Sequence, residues 1–152
     1  VGAWTQRLAE LGIELPPVAA PVAAYVPAIR TGNHVYTSGQ LPFVSGTLAA
    51  TGKVGDEIGP EEAKQHARTC ALNALAAVHG LVGIDAVVRV VKVVGFVASA
   101  EGFTGQPSVL NGASELLGEV FGAAGQHTRS AVGVAELPLG APVEVELVVE
   151  VS

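Results

Sequence analysis

Charge is scarce in this sequence. Asp, Glu, Lys and Arg make up 14% of the chain, well under the roughly 25% of ordinary soluble proteins, and mean hydropathy is +0.48. So few charges cover a monomer's surface poorly, so burial between subunits is expected, with a homo-oligomer as the simplest form. Basic residues are scarcer still: eight against fourteen acidic ones, for a net charge of −6. They are scattered, whereas a nucleic-acid binder carries a basic stripe. Cys70 is the sole cysteine, which excludes an intrachain disulfide and suits a reducing compartment. Its Ala-rich helical surroundings read as the setting of a buried thiol rather than a nucleophile. The longest apolar region, 87–98, is interrupted by Arg89 and Lys92 and falls short of the roughly 18 residues of a membrane span. Val1 opens no basic, signal-like segment, so a cytoplasmic location is expected.

Signatures of cofactor chemistry are also missing. His34, His66, His79 and His127 are scattered without paired ligand spacing, so no metal is expected. Glycine is abundant, yet no strand–GxGxxG–helix or Walker pattern occurs. Ser38-Gly39 lacks the GxSxG context of a nucleophile elbow and reads equally well as a strand serine beside a turn.

What is present is a clear alternation of elements. Residues 2–12 form an amphipathic helix with Trp4, Leu8 and Leu11 on one face, and Pro16-Pro17 then breaks the chain. We divide the sequence into a helical extension and linker at 1–16 and one domain at 17–152. Two strands, 22–30 and 34–42, flank Thr31-Gly32-Asn33, where Gly and Asn supply positive φ angles for a hairpin. The Gly-, Ser- and Thr-rich stretch 43–59 reads as an irregular excursion with room for a short strand. Pro60 opens a helix to about Val82, with Glu61 and Glu62 at its positive end. Its stripe of Ala63, Ala67, Cys70, Ala71, Ala74, Leu75 and Val78 permits close approach to a sheet. Residues 85–98 are a Val-rich strand of the kind buried on both faces. A loop at 99–106 and a second helix at 107–121 follow.

The last stretch, 128–151, splits at the turn-rich 137–142 into two β-runs, read as a terminal hairpin. Val143, Val145, Leu147, Val149 and Val151 share one face of the second run, and Glu144, Glu146 and Glu150 share the other. In the first run Arg129, Ala131, Gly133 and Ala135 share a face. An arginine among small residues suits a carboxylate, which its guanidinium can bind through two parallel hydrogen bonds. A lone strand arginine also serves as a solvated edge or an ion pair, and the residues alone leave both readings open.

The run Arg129-Ser130-Ala131-Val132, with Val134-Ala135, Leu137-Pro138 and Val143-Glu144-Val145-Glu146, resembles the C-terminal signature of the RidA (YjgF) family. Tyr25, Gly32-Asn33 and Tyr36-Thr37-Ser38-Gly39-Gln40-Leu41-Pro42 resemble its N-terminal half, and the similarity spans 21–151. The resemblance implies an α+β, chorismate-mutase-like fold: a mixed sheet with two main helices on one face, here with an added N-terminal helix. It implies a homotrimer with pockets between subunits and no cofactor. It further implies hydrolysis of small, reactive 2-imino acids to 2-oxo acids and ammonia. The alternative is a non-catalytic trimeric module that binds a small carboxylate or a partner protein. The family's endoribonuclease label fits poorly with this charge balance.

Carried over by position, Arg129 matches the carboxylate-binding arginine and Glu144 the glutamate that works with bound water. Tyr25, Ser38 and Ala131 match pocket residues. An asparagine is expected from the second helix; counting back from Phe121 lands on Ser114, with Asn111 about one turn earlier as the candidate. The chain departs from the family pattern in three places. Ala131 stands where many relatives carry cysteine, His127 replaces a proline two residues before the arginine, and the 103–121 region is about two helical turns longer. By this resemblance the lengthened region, together with the N-terminal helix, implies a longer branch of the family.

Overall fold

The computed structural model describes residues 2–21 and 23–152. Its elements in order are helix α1 (Ala3–Glu10), strands β1 (Ala28–Thr31), β2 (His34–Thr37), β3 (Phe43–Val44) and β4 (Thr47–Leu48), helix α2 (Pro60–Val82), strand β5 (Val87–Ala98), helix α3 (Gln106–Phe121), and strands β6 (Thr128–Val134) and β7 (Val143–Val151). β1, β2, β7, β5 and β6 form one mixed sheet in that order, and β3 and β4 form a separate small hairpin.

The α+β architecture with both main helices on one side of the sheet is as expected. Every second residue of β7, from Val143 to Val151, is buried. This buried face meets α2, where Ala63, Ala67, Cys70, Ala71, Ala74, Leu75 and Val78 are all buried. Gly95 of β5 has no Cβ because Leu110 of α3 occupies that space. No side chain caps the start of α3, an omission that costs about 1 kcal/mol. Fully buried Leu110, Leu116 and Leu117, at about 1.5–3 kcal/mol each, outweigh it.

Two expectations are corrected. The strand expected over 22–30 begins only at Ala28. Val22 lies outside the described residues, and Pro27 has no N–H to donate to a ladder. Its companion, expected to reach Pro42, ends at Thr37; Gln40 then rejoins the sheet through paired backbone bonds with Val145 (2.8 and 3.0 Å). Their connection is tighter than expected, with Thr31 paired to His34 and the positive φ confined to Gly32.

The second correction matters more for function. The last two strands are not a hairpin. β6 runs parallel to β5 on one side, and β7 runs antiparallel to β5 on the other. β5 therefore separates Arg129 from the acidic strand expected beside it. β5 itself is buried only toward the helices: Val90, Val93 and Val97 are buried, whereas Val88, Arg89 and Lys92 are exposed. Within one chain the other face of the sheet stays open, and rows such as Ile29–Tyr36–Val148 and Phe96–Val132 place apolar side chains on it.

The N-terminal helix is built into this frame. Asp85 accepts hydrogen bonds from the Trp4 and Thr5 backbone N–H groups (3.0 Å each) and from the Thr5 hydroxyl (2.5 Å), satisfying donors that a helix start leaves open. Trp4 donates from Nε1 to the Val87 carbonyl at 2.7 Å, and its ring meets Phe121 edge-on at 5.0 Å.

Candidate functional site

The six residues singled out from the sequence fall into two groups. Tyr25, Ser38 and Glu144 line one cavity of about 440 Å³. Arg129, Asn111 and Ala131 lie together at the opposite edge of the sheet, where β6 runs beside α3.

Glu144 alternates with buried Val143 and Val145, so it projects from the open face of the sheet. Gly39 makes room for it: a Cβ there would run into the Glu144 carboxylate. Burial, and secondarily the charge of Glu146, push the Glu144 carboxyl above the ordinary carboxylate range. That brings it nearer to the pH at which a carboxyl both accepts and gives up a proton usefully. The Ser38 hydroxyl donates to the Val26 carbonyl at 2.5 Å, pinning the segment that carries Tyr25 against the end of β2. The remaining walls are largely apolar: Ala19, Ala20, Pro21, Ala23, Leu41 and Phe43, with Gln40 beside Ser38. No basic residue lines this cavity among the described residues. Sequence reasoning missed the wall of Ala19, Ala20, Pro21 and Ala23 because a Pro- and Ala-rich stretch carries no periodicity that betrays a contact.

Arg129 is held along α3. Its Nη1 donates to Asn111 Oδ1 at 2.9 Å and to Ser114 Oγ at 3.2 Å, and its Nη2 donates to the Pro107 carbonyl at 3.3 Å. Asn111 and Ser114, between which the sequence left the choice to Asn111, both touch the guanidinium. Ala131 pairs with Gly95 on β5 and packs against the core. Further along the same face, the space that a Cβ would take at Gly133 is filled by Gln106 and Ser99.

Cys70 is fully buried and donates weakly to the Val143 carbonyl at 3.6 Å. Burial, then the charge of Glu144, hold its thiol well above the usual range, so it carries no thiolate chemistry. No helix among the described residues is long and apolar enough to cross a membrane.

Known proteins share this arrangement of chain. Residues 5–151, α1 included from its third residue, match the YjgF/chorismate-mutase-like endoribonuclease family. Over 153 aligned residues the chain is 43% identical to Protein TCP17 of Trypanosoma cruzi, covering 99% of this chain and 96% of that protein. It is 34% identical over 141 residues to a 2-iminobutanoate/2-iminopropanoate deaminase of Dermatophagoides farinae, covering 92% and 95% of the two chains. Among solved structures it resembles Atu1372, a protein of unknown function from Agrobacterium tumefaciens, with a TM-score of 0.90 and 45% identity over 99% of this chain and 93% of that one. The family match over nearly the whole length is joined by the structural likeness to Atu1372, and the chain belongs to the YjgF/chorismate-mutase-like family.

Proposed function

We propose that this protein is an enamine/imine deaminase that hydrolyses small 2-imino acids to 2-oxo acids and ammonia, in pockets shared between the subunits of a homotrimer. The observation that carries the reading is the division of the site. The Glu144 cavity holds a carboxyl of raised pKa but no basic residue among the described residues. Arg129 offers a guanidinium at the far edge of the same sheet. A second copy placing its Arg129 edge against this cavity would supply the missing cation. Exposed Ile29, Tyr36 and Val132, on or beside the open face, favour such packing. The deaminase relative from Dermatophagoides farinae supports the chemistry.

An iminium carbon is already electrophilic, so neither a metal nor a covalent nucleophile is required. Arg129 fixes the substrate carboxylate and turns an encounter into an oriented complex. Glu144 takes a proton from the attacking water and delivers it to the departing nitrogen. The products are the 2-oxo acid and ammonium, with one water consumed. Tyr25 and Ser38 shape the pocket wall. The absence of a basic stripe argues against RNA as the substrate.

The test generates 2-iminopropanoate in situ with an amino-acid oxidase and traps the residual imine with semicarbazide. The protein should lower the trapped signal and speed pyruvate release. No effect across small aliphatic and aromatic imino acids, with carboxylate binding retained, would favour the second reading. That reading is a trimeric carboxylate-binding module, and the fixed posture of Arg129 on α3, independent of Glu144, would serve it equally well.

A further inference from the structure

Behind Arg129 runs a chain of hydrogen bonds that the deaminase reading does not use. His127 Nδ1 lies 2.6 Å from the Gly125 carbonyl, and His127 Nε2 lies 2.8 Å from Ser114 Oγ. A carbonyl only accepts, so Nδ1 carries a proton, and in the Nδ1–H tautomer Nε2 presents its lone pair to Ser114. The Ser114 hydroxyl donates to Nε2 and accepts from Arg129 Nη1 at 3.2 Å. Every donor in the series therefore points one way, from guanidinium to hydroxyl to imidazole to the Gly125 carbonyl. Gly125 is itself fixed, because a Cβ there would meet the Leu117 carbonyl of α3.

Donor counting shows what this achieves. A guanidinium has five N–H groups. Both on Nη1 are committed, to Asn111 and Ser114, and one on Nη2 goes to the Pro107 carbonyl. The Nε–H and one Nη2–H remain, and with Pro107 on the Nη2–H that faces Nη1 these two would form a side edge suited to a two-point carboxylate contact. We propose that Ser114 and His127 are positioning residues, a hydroxyl–imidazole relay that clamps the end of the Arg129 guanidinium to α3 and turns its Nε/Nη2 edge toward the ligand's carboxylate. The inference rests on Arg129 being the carboxylate clamp. It also gives a use to His127, which stands where the family pattern has a proline unable to take part.

Titration calorimetry with pyruvate tests it on the full chain. Ser114→Ala and His127→Leu should each weaken binding roughly tenfold, the loss of one hydrogen bond in a charged network. Ser114→Thr keeps the hydroxyl, and His127→Gln keeps an acceptor near the Nε2 position, so both should stay within about twofold of wild type. The double variant Ser114→Ala/His127→Leu should be no weaker than the poorer single variant, because the two act through one path. Thermal unfolding of each variant checks that it is folded. Imidazole nitrogen shifts measured by NMR should report an Nδ1–H tautomer at His127. Affinities unchanged in Ser114→Ala and His127→Leu, a His127→Gln as poor as His127→Leu, or an Nε2–H tautomer would each overturn the relay while leaving Arg129 as the clamp. Equal binding by wild type and Arg129→Lys, whose ammonium has no planar edge, would sink the clamp and the relay together.

Discussion

Arg129 and Glu144 point away from opposite faces of one sheet, with β5 between their strands. Arg129 pairs with Val93 of β5, and Glu144 pairs with Phe96 of the same strand. Two strand spacings and three residues of rise put their Cα atoms roughly 14 Å apart. No small imino acid spans that distance through a sheet. Either one of the two residues is idle, or the site takes each from a different chain.

The second alternative requires assembly. Native mass spectrometry or light scattering should find three chains at micromolar concentration, driven by the open, partly apolar face of the sheet. A stable monomer would contradict both the assembly and the shared pocket.

Glu144→Gln keeps size and hydrogen-bonding ability but cannot transfer the proton. Turnover of 2-iminopropanoate should fall by about 10²–10⁴-fold, with assembly and pyruvate binding intact. The same variant should change the pH profile of stability. The Glu144 carboxyl is raised in the folded state, chiefly by burial, so the folded protein binds this proton more tightly than the unfolded chain. Its contribution to stability is complete below the unfolded value near 4.5 and is lost as pH rises through the raised folded value. Thermal scans from mildly acidic to neutral pH should show this decline in wild type and not in Glu144→Gln.

Much of this frame could be read from residue order. The stripe from Ala63 to Val78 and the alternation from Val143 to Val151 each encode a period that only one kind of element satisfies, and helix α2 and the acidic strand lie where those periods put them. Strand partnership is another matter. β6 and β7 are joined by a short turn-rich link, the usual mark of a hairpin, and nothing local in their sequence says that β5 will insert between them. The contacts that accompany the insertion are non-local, such as Leu110 of α3 filling the space beside Gly95 of β5. For the same reason Arg129 and Glu144, fifteen residues apart in sequence, looked like neighbours and are not. The roles of Ser114 and His127 were equally hidden, since each depends on where α3 crosses the start of β6.

Helix α1 should report its own docking, because Trp4 is the only tryptophan. The Asp85 carboxyl is held below its ordinary range by hydrogen bonds, first from the Thr5 hydroxyl and backbone and then from Trp4. That support is present above the unfolded value of 3.8 and is lost as pH falls through the lowered folded value. Asp85→Ala should remove it at all pH values, shifting Trp4 emission to the red and lowering the melting temperature. Emission unchanged from wild type would mean that the contacts of Trp4 with Val87 and Phe121 seat the helix without Asp85.

Two glycines of α3 should respond in opposite directions to the same substitution. A Cβ at Gly112 would strike the Lys64 carbonyl of α2, a backbone atom that cannot swing aside. Gly112→Ala should therefore force the helices apart at a cost of about 3 kcal/mol. At Gly118 nothing lies within 4 Å of the added atom, and Gly118→Ala should stabilise by about 0.5–1 kcal/mol through helix propensity. Chemical denaturation of both variants measures the pair, and a neutral Gly112→Ala would refute the tight α2–α3 crossing.

The shared site is tested most directly by mixing chains. Arg129→Ala and Glu144→Gln should each be nearly inactive alone. Refolded together in equal amounts, they form mixed trimers in which one of the three pockets receives an intact Arg129 from one chain and an intact Glu144 from the next. Random assembly then predicts about a quarter of wild-type imine hydrolysis for head-to-tail contacts in a closed ring. Activity that stays at the level of the separate variants, in mixtures shown by mass to contain mixed trimers, would contradict a pocket built from two chains.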